Sequence, residues 1–126
     1  MKPLILVVDD SVTLRASVRA VLERNGFDVE EAENGQHGLE VLDSIYEKNQ
    51  KVALIFSDIY MPIMDGIHFI QEVKKSKYRF IPIIVLTTEG QESKKMEGKQ
   101  AGAAGWLLKP FRSEMLIKVA NKFIRA

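Results

Sequence analysis

The sequence predicts an α/β protein, a five-stranded parallel sheet with helices on both faces, doubly wound, in one domain over residues 1–126. Three observations carry this. Apolar runs of strand length, each ending in polar or charged residues, alternate with segments whose apolar residues recur at helical spacing. The runs are nearly continuous rather than alternating, as expected of parallel strands buried on both faces. A chain of 126 residues is the right size for one such domain.

In order, Leu4-Ile5-Leu6-Val7-Val8 is the first strand and leads into Asp9-Asp10-Ser11. From Ser11, a helix N-cap, Leu14, Val18, Val21 and Leu22 mark one helical face, which Asn25-Gly26 stops. Residues 27–32 alternate weakly and form the second strand; Asn34-Gly35 turns the chain into a helix carrying Leu39, Leu42, Ile45 and Tyr46, which ends in the polar residues 47–50. The third strand runs to Asp58 and is followed by a loop with Pro62 and Asp65-Gly66. A helix then extends from Gly66 to about Lys77, with Ile67, Ile70 and Val73 on one face.

The fourth strand begins at Ile81, with Pro82 tolerated at its start because the first residue of a strand need not donate to the ladder, and ends in Thr87-Thr88. Residues from Glu89 to about Gln100 are helical in composition but nearly all polar. With Met96 its only large apolar residue, this helix is expected to be the least firmly packed. Gly105-Trp106-Leu107-Leu108 is a short fifth strand ending at Lys109-Pro110. The last helix runs from Ser113 to Phe123, with Met115, Leu116, Val119 and Phe123 facing inward.

Composition excludes several classes. Basic and acidic residues number 18 and 17, so no global field attracts nucleic acid or an acidic membrane, and any such binding must be local. Cysteine is absent, which removes disulfides, thiol catalysis and cysteine-based metal sites. The first apolar run is too short for a signal peptide or a membrane span, so a cytoplasmic location is expected.

In a parallel sheet the carboxyl ends of all strands share one edge, where open α/β sheets keep their chemistry. Asp9, Asp10, Asp58, Thr87 and Lys109 should therefore converge there. Three carboxylates together repel, and a hard divalent cation with oxygen ligands, Mg²⁺ above all, relieves that repulsion while leaving room for phosphate oxygens. The chemistry that follows is in-line attack of the Asp58 carboxylate on phosphorus. Lys109 would neutralise charge on the phosphoryl oxygens, and Thr87 would hydrogen-bond one of them.

The text Val7-Val8-Asp9-Asp10-Ser11, Ser57-Asp58, Met61-Pro62, Met64-Asp65-Gly66, Leu86-Thr87-Thr88 and Gly105-Trp106-Leu107-Leu108-Lys109-Pro110-Phe111 resembles the receiver domain of two-component response regulators, and the resemblance covers the whole chain. It implies a flavodoxin-like (βα)5 fold in which Asp58 is the phosphoacceptor, Asp10 a direct Mg²⁺ ligand, Asp9 a ligand through water and Tyr60 a ligand through its backbone carbonyl. It also implies a cis Lys109-Pro110 bond that aims the lysine at the site. Thr87 and the aromatic Trp106 would act as the switch that remodels the surface of the fourth helix, fifth strand and fifth helix. Tyrosine or phenylalanine is more usual at the position of Trp106, and a half-buried edge aromatic is the alternative reading of that residue. Tyr60 and Glu89, two residues beyond Asp58 and Thr87, would modulate dephosphorylation.

The partners implied are a sensor histidine kinase or histidine phosphotransfer protein as donor, and a protein target on the switch surface. No nucleic acid and no membrane are expected, and the chain is read as a monomer or a phosphorylation-dependent dimer without an effector domain. The nearest subtype is a chemotaxis- or motility-type regulator, with a phosphorelay intermediate or a domain excised from a longer protein as the equal alternatives. It is a switch rather than an enzyme, catalysing only its own phosphorylation and dephosphorylation. Two other functions fit parts of the pattern. A Mg²⁺-dependent phosphohydrolase with an aspartyl nucleophile usually has a second aspartate where this chain has Tyr60, and a phosphorylation-independent binding module would not need the acidic set. His37 and His68 fall on helices as solvated or packed surface residues. The pairs Lys74-Lys75 and Lys94-Lys95 read as solvated faces.

Overall fold

In a computed structural model that describes residues 2–88 and 92–124, strands and helices alternate without exception. They are β1 (Leu4–Val8), α1 (Val12–Arg24), β2 (Asp28–Ala32), α2 (Gly35–Glu47), β3 (Leu54–Asp58), α3 (Gly66–Lys74), β4 (Ile83–Thr88), α4 (Glu92–Ala101), β5 (Gly105–Lys109) and α5 (Ser113–Phe123). The strands pair in parallel in the order β2-β1-β3-β4-β5. The order reverses next to β1, so the crevice at the carboxyl ends of β1 and β3 lies at the topological switch point, where such sheets take their ligands.

Alternate residues of the central strands face opposite layers. Ile5, Val7, Leu54, Phe56, Ile84 and Leu86 pack with Val18, Val21 and Leu22 of α1 and Leu116 and Ala120 of α5. Leu6, Val8, Ile55, Ile83 and Val85 pack on the other face with Leu42 and Ile45 of α2 and Phe69, Ile70 and Val73 of α3. Both faces of every central strand are therefore withdrawn from water, which is why their sequences read as unbroken apolar runs.

The starts of α1, α2 and α3 are fixed by side-chain oxygens. Ser11 Oγ accepts from Leu14 N at 3.1 Å, Asn34 Oδ1 from His37 N at 2.8 Å and Asp65 Oδ1 from His68 N at 2.8 Å. Each such cap contributes about 1 kcal/mol. α1 ends at Asn25 and Gly26, the latter at φ 93°, a conformation glycine takes without a Cβ penalty.

Several boundaries differ from the expectation. α3 stops at Lys74 rather than about Lys77, because Ser76 Oγ bonds back to Val73 O at 2.7 Å and accepts from Tyr78 N at 3.0 Å, turning the chain. β4 begins at Ile83, not Ile81, with Pro82 O accepting from Ile55 N at 3.0 Å as the lead-in. Met115, expected to face inward, is exposed, and Leu116 and Ala120 provide the buried stripe of α5. In α4, Met96 is also exposed, and Gly98 is the residue that approaches Val85 and Ile67. The start of that helix as expected, at Glu89, lies outside the described residues.

Candidate functional site

Each strand end delivers the side chain expected of it to one edge. Asp9, just beyond β1, is fully buried, and its backbone is fixed on both sides. Its N–H donates to Ala32 O at 3.0 Å, and its carbonyl accepts from the Arg15 guanidinium at 2.5 Å. The Ser11 N–H donates to Asp9 Oδ1 at 2.8 Å, so the same residue that caps α1 also orients the first carboxylate. Asp58 ends β3 with its Oδ1 accepting from Ile59 N at 2.8 Å. Asp10 is exposed beside them, and one carboxylate oxygen from each of the three lies within 4.8 Å of the others.

Lys109, at the end of β5, reaches across the sheet edge: its ammonium stands 3.2 Å from Asp9 Oδ2 and 3.4 Å from Asp58 Oδ1. The Lys109-Pro110 peptide bond is cis. Burial pushes the Asp58 carboxyl above its ordinary value of 3.8 and the charge of Asp9 adds to the shift, against the opposing pull of Lys109 and the Ile59 N–H. A carboxylate with spare lone pairs, held in partial desolvation beside other acids, is both a better nucleophile than a solvated one and a hard oxygen ligand.

Close packing places Asp58. A Cβ on Gly66 would come within 2.1 Å of the Asp58 carbonyl oxygen, so only glycine lets α3 begin against the end of β3. The Gly66 N–H also donates to Ile59 O at 2.7 Å. Asp65-Gly66 thus shapes the turn, as the sequence implied.

The remaining expected residues are placed less directly. Thr87 is buried on β4, the strand next to Asp58, with its hydroxyl 3.4 Å from the Thr88 carbonyl. Trp106 on β5 pairs with Val85 in register, is 45% exposed and lies beneath the Lys95 ammonium, 5.5 Å from its ring centre. Tyr60 is 53% exposed, and the Lys94 ammonium stands 5.8 Å from its ring centre. Glu89 lies outside the described residues. His37 Nδ1 accepts from Glu33 N at 3.1 Å, and His68 stands 3.7 Å from Glu72, so both are engaged locally on their helices.

Two features were not foreseen. Arg15 joins the Asp9 backbone to Glu31, which also holds Arg19 at 2.6 Å. The partners of Arg15 lie 6 and 16 residues away, and only the spacing of Arg15 four residues after the Ser11 cap hinted at a position near the site. Ile63, in the loop after β3, is 83% exposed at φ 70°, a conformation costly for a β-branched residue. A lone exposed isoleucine beside Pro62 carries no sequence signal for it.

Comparison with known proteins agrees with this fold. The model of the response regulator receiver domain family matches residues 5–121. The chain is 36% identical over 118 residues to the protein PilH of Pseudomonas aeruginosa, covering 93% of each chain. It is 39% identical over 114 residues to a chemotaxis protein CheY homolog of Campylobacter jejuni, covering 89% of this chain and 85% of that one. The solved structure of the chemotaxis response regulator CheY4 of Vibrio cholerae superposes with a TM-score of 0.85 at 38% identity, over 98% of this chain and all of that one.

Proposed function

The chain belongs to the response regulator receiver domain family, the phosphorylation-activated switches of two-component signalling, and we propose that Asp58 is the residue through which this one is switched. The observation that carries the proposal is the Lys109 ammonium bridging Asp9 and Asp58 at 3.2 and 3.4 Å, with Asp10 completing the acidic set.

An Asp58 oxygen attacks the phosphorus of a phosphohistidine on a sensor kinase or phosphotransfer protein. The O–P bond forms as the donor's P–N bond breaks, and the electron pair leaves with the imidazole nitrogen, which takes up a proton. Lys109 offsets the charge on the transferred group, and the Thr87 hydroxyl donates to one of its oxygens. The all-oxygen donor set within 4.8 Å fits a hard divalent cation: the carboxylates of Asp9, Asp10 and Asp58 with the Tyr60 carbonyl would hold Mg²⁺. When bound, Mg²⁺ supplies positive charge against both the carboxylates and the phosphoryl oxygens.

The chain itself catalyses its phosphorylation and dephosphorylation, with Tyr60 and Glu89 hindering or orienting water. Readout runs from Thr87 through Trp106 to the surface of α4, β5 and α5, where a protein target docks, in a monomer or a phosphorylation-dependent dimer. Among the described residues no helix is long and apolar enough to cross a membrane, and we place the switch in the cytoplasm with its donor.

The test is intact mass after incubation with Mg²⁺ and acetyl phosphate. Wild type should gain one phosphate and Asp58→Asn none. A gain retained in the mutant removes Asp58 from its role, and rapid multi-turnover release of phosphate identifies a hydrolase instead.

A further inference from the structure

The near balance of charge in the whole sequence conceals its distribution. Segments 2–3, 48–53 and 75–82 lead into β1, β3 and β4, three adjacent strands, so the parallel topology brings them to the edge of the sheet opposite Asp58. They carry Lys2, Lys48, Lys51, Lys75, Lys77 and Arg79 and no carboxylate; Glu47 adjoins them in sequence, Asp28 adjoins them in space through its N–H to Pro3 O at 2.9 Å, and Glu23 and Glu30 line the same hollow as Lys2, Lys48 and Lys51, so the cations outnumber the acids here without excluding them. All six cations are exposed. Among the described residues, the carboxylate within 4.0 Å of any of them is that of Glu72, 3.8 Å from the Lys75 ammonium.

This edge is held rigidly. The Tyr46 and Tyr78 rings meet with centroids 4.8 Å apart, the Tyr78 hydroxyl donates to Asp43 and the Tyr46 hydroxyl accepts from Val52 N at 3.2 Å, which stitches the segment before β3 to the segment before β4. Lys74 donates to Arg79 O and Ile81 O at 2.9 and 3.1 Å, fixing the bend on which Phe80 projects. Phe80 is 82% exposed, with the Arg79 guanidinium 4.6 Å from its ring centre. A large apolar ring on a basic promontory costs solubility and has no partner in the core.

We propose that this edge docks on an anionic phospholipid surface, with Phe80 entering the headgroup region and the six cations facing the lipid charge. Lysine dominates the set by five to one. Lysine is depleted from the cores of protein–protein interfaces, and sequence-reading nucleic-acid sites favour arginine, whereas a delocalised lipid charge needs only point cations near its plane. Each basic residue near such a surface contributes about 1 kcal/mol, roughly fivefold in partitioning. Docking by this edge leaves the Asp58 site facing away from the membrane, so a regulator held there would still meet its donor.

Flotation of the full chain with phosphatidylglycerol/phosphatidylcholine vesicles at low salt tests the proposal. Wild type should bind these vesicles, bind pure phosphatidylcholine at least tenfold more weakly, and be released by added salt. Lys77→Glu/Arg79→Glu should lower partitioning at least tenfold and Phe80→Ser about threefold, with unchanged thermal melts. Lys118→Glu/Lys122→Glu on α5 makes the same change in net charge elsewhere and should lower it less than twofold. Equal loss in the two charge-reversed variants would overturn the assignment to this edge. Tighter binding to duplex DNA or to a glutamate-rich peptide at the same salt would overturn the lipid assignment.

Discussion

Two carboxylates at the carboxyl-end half of the sheet are treated in opposite ways. Glu31, on β2, is clasped by Arg15 at 2.9 Å and Arg19 at 2.6 Å. Burial works against its charge, but hydrogen bonds from Arg19 and Arg15 outweigh that and hold the carboxyl below its ordinary value. Asp58, on β3, is half-buried beside Asp9 with Lys109 shared between them, and its carboxyl is raised. Glu31 is satisfied and holds α1 against the sheet. Asp58 is left short of positive charge, and under the proposed function that shortage is what would make the site receptive to a metal and a phosphoryl group.

Supplying the missing charge should give the largest effect. At a hundredfold excess over its dissociation constant, Mg²⁺ should raise stability by about 2.7 kcal/mol in a thermal melt, and Asp9→Asn/Asp10→Asn should lose most of that gain. Glu31→Gln should cost about 1.5 kcal/mol, since it removes the negative charge and one of the two acceptor oxygens that the two guanidinium groups share. Asp58→Asn should do the reverse and stabilise the metal-free protein by about 1 kcal/mol, a like-charge contact discounted for its exposure to solvent.

The pH dependences should also oppose. A carboxyl lowered in the fold adds stability above its unfolded value and loses it as pH falls, so the cost of Glu31→Gln should shrink on acidification. A carboxyl raised in the fold lowers stability as pH rises from its unfolded value through its folded one. The gain from Asp58→Asn should therefore be fully present at neutral pH and vanish as pH falls below 3.8. Melts of both variants from neutral pH to below that value check this. The smallest effect is expected at Ile63. Relief of its positive φ, offset by the extra freedom of glycine in the unfolded chain, should make Ile63→Gly stabilising by about 0.5 kcal/mol in chemical denaturation.

The layout of strands and helices was legible because Leu4-Ile5-Leu6-Val7-Val8 and its counterparts are buried on both faces, and because Ser11, Asn34 and Asp65 are caps that work locally. The convergence of Asp9, Asp10, Asp58 and Lys109 was legible because parallel topology puts every strand's carboxyl end on one edge. What escaped depends on contacts distant in sequence or on backbone geometry. The Arg15–Glu31 pair spans 16 residues, the end of α3 was decided by Ser76, and the strain at Ile63 has no signature in residue type. The inward face of α5 was misjudged at Met115 because Leu116 and Ala120 satisfy the same helical period.

If the undercompensated carboxylate is the one that takes the phosphoryl group, the modification should fall on Asp58. Borohydride reduces an aspartyl phosphate to homoserine, so phosphorylation with Mg²⁺, reduction and peptide mass mapping marks the acceptor directly. Homoserine at position 58 alone is the expected result. Homoserine at position 9 or 10, or an unmodified position 58 in protein that has gained a phosphate, would remove Asp58 from the acceptor role.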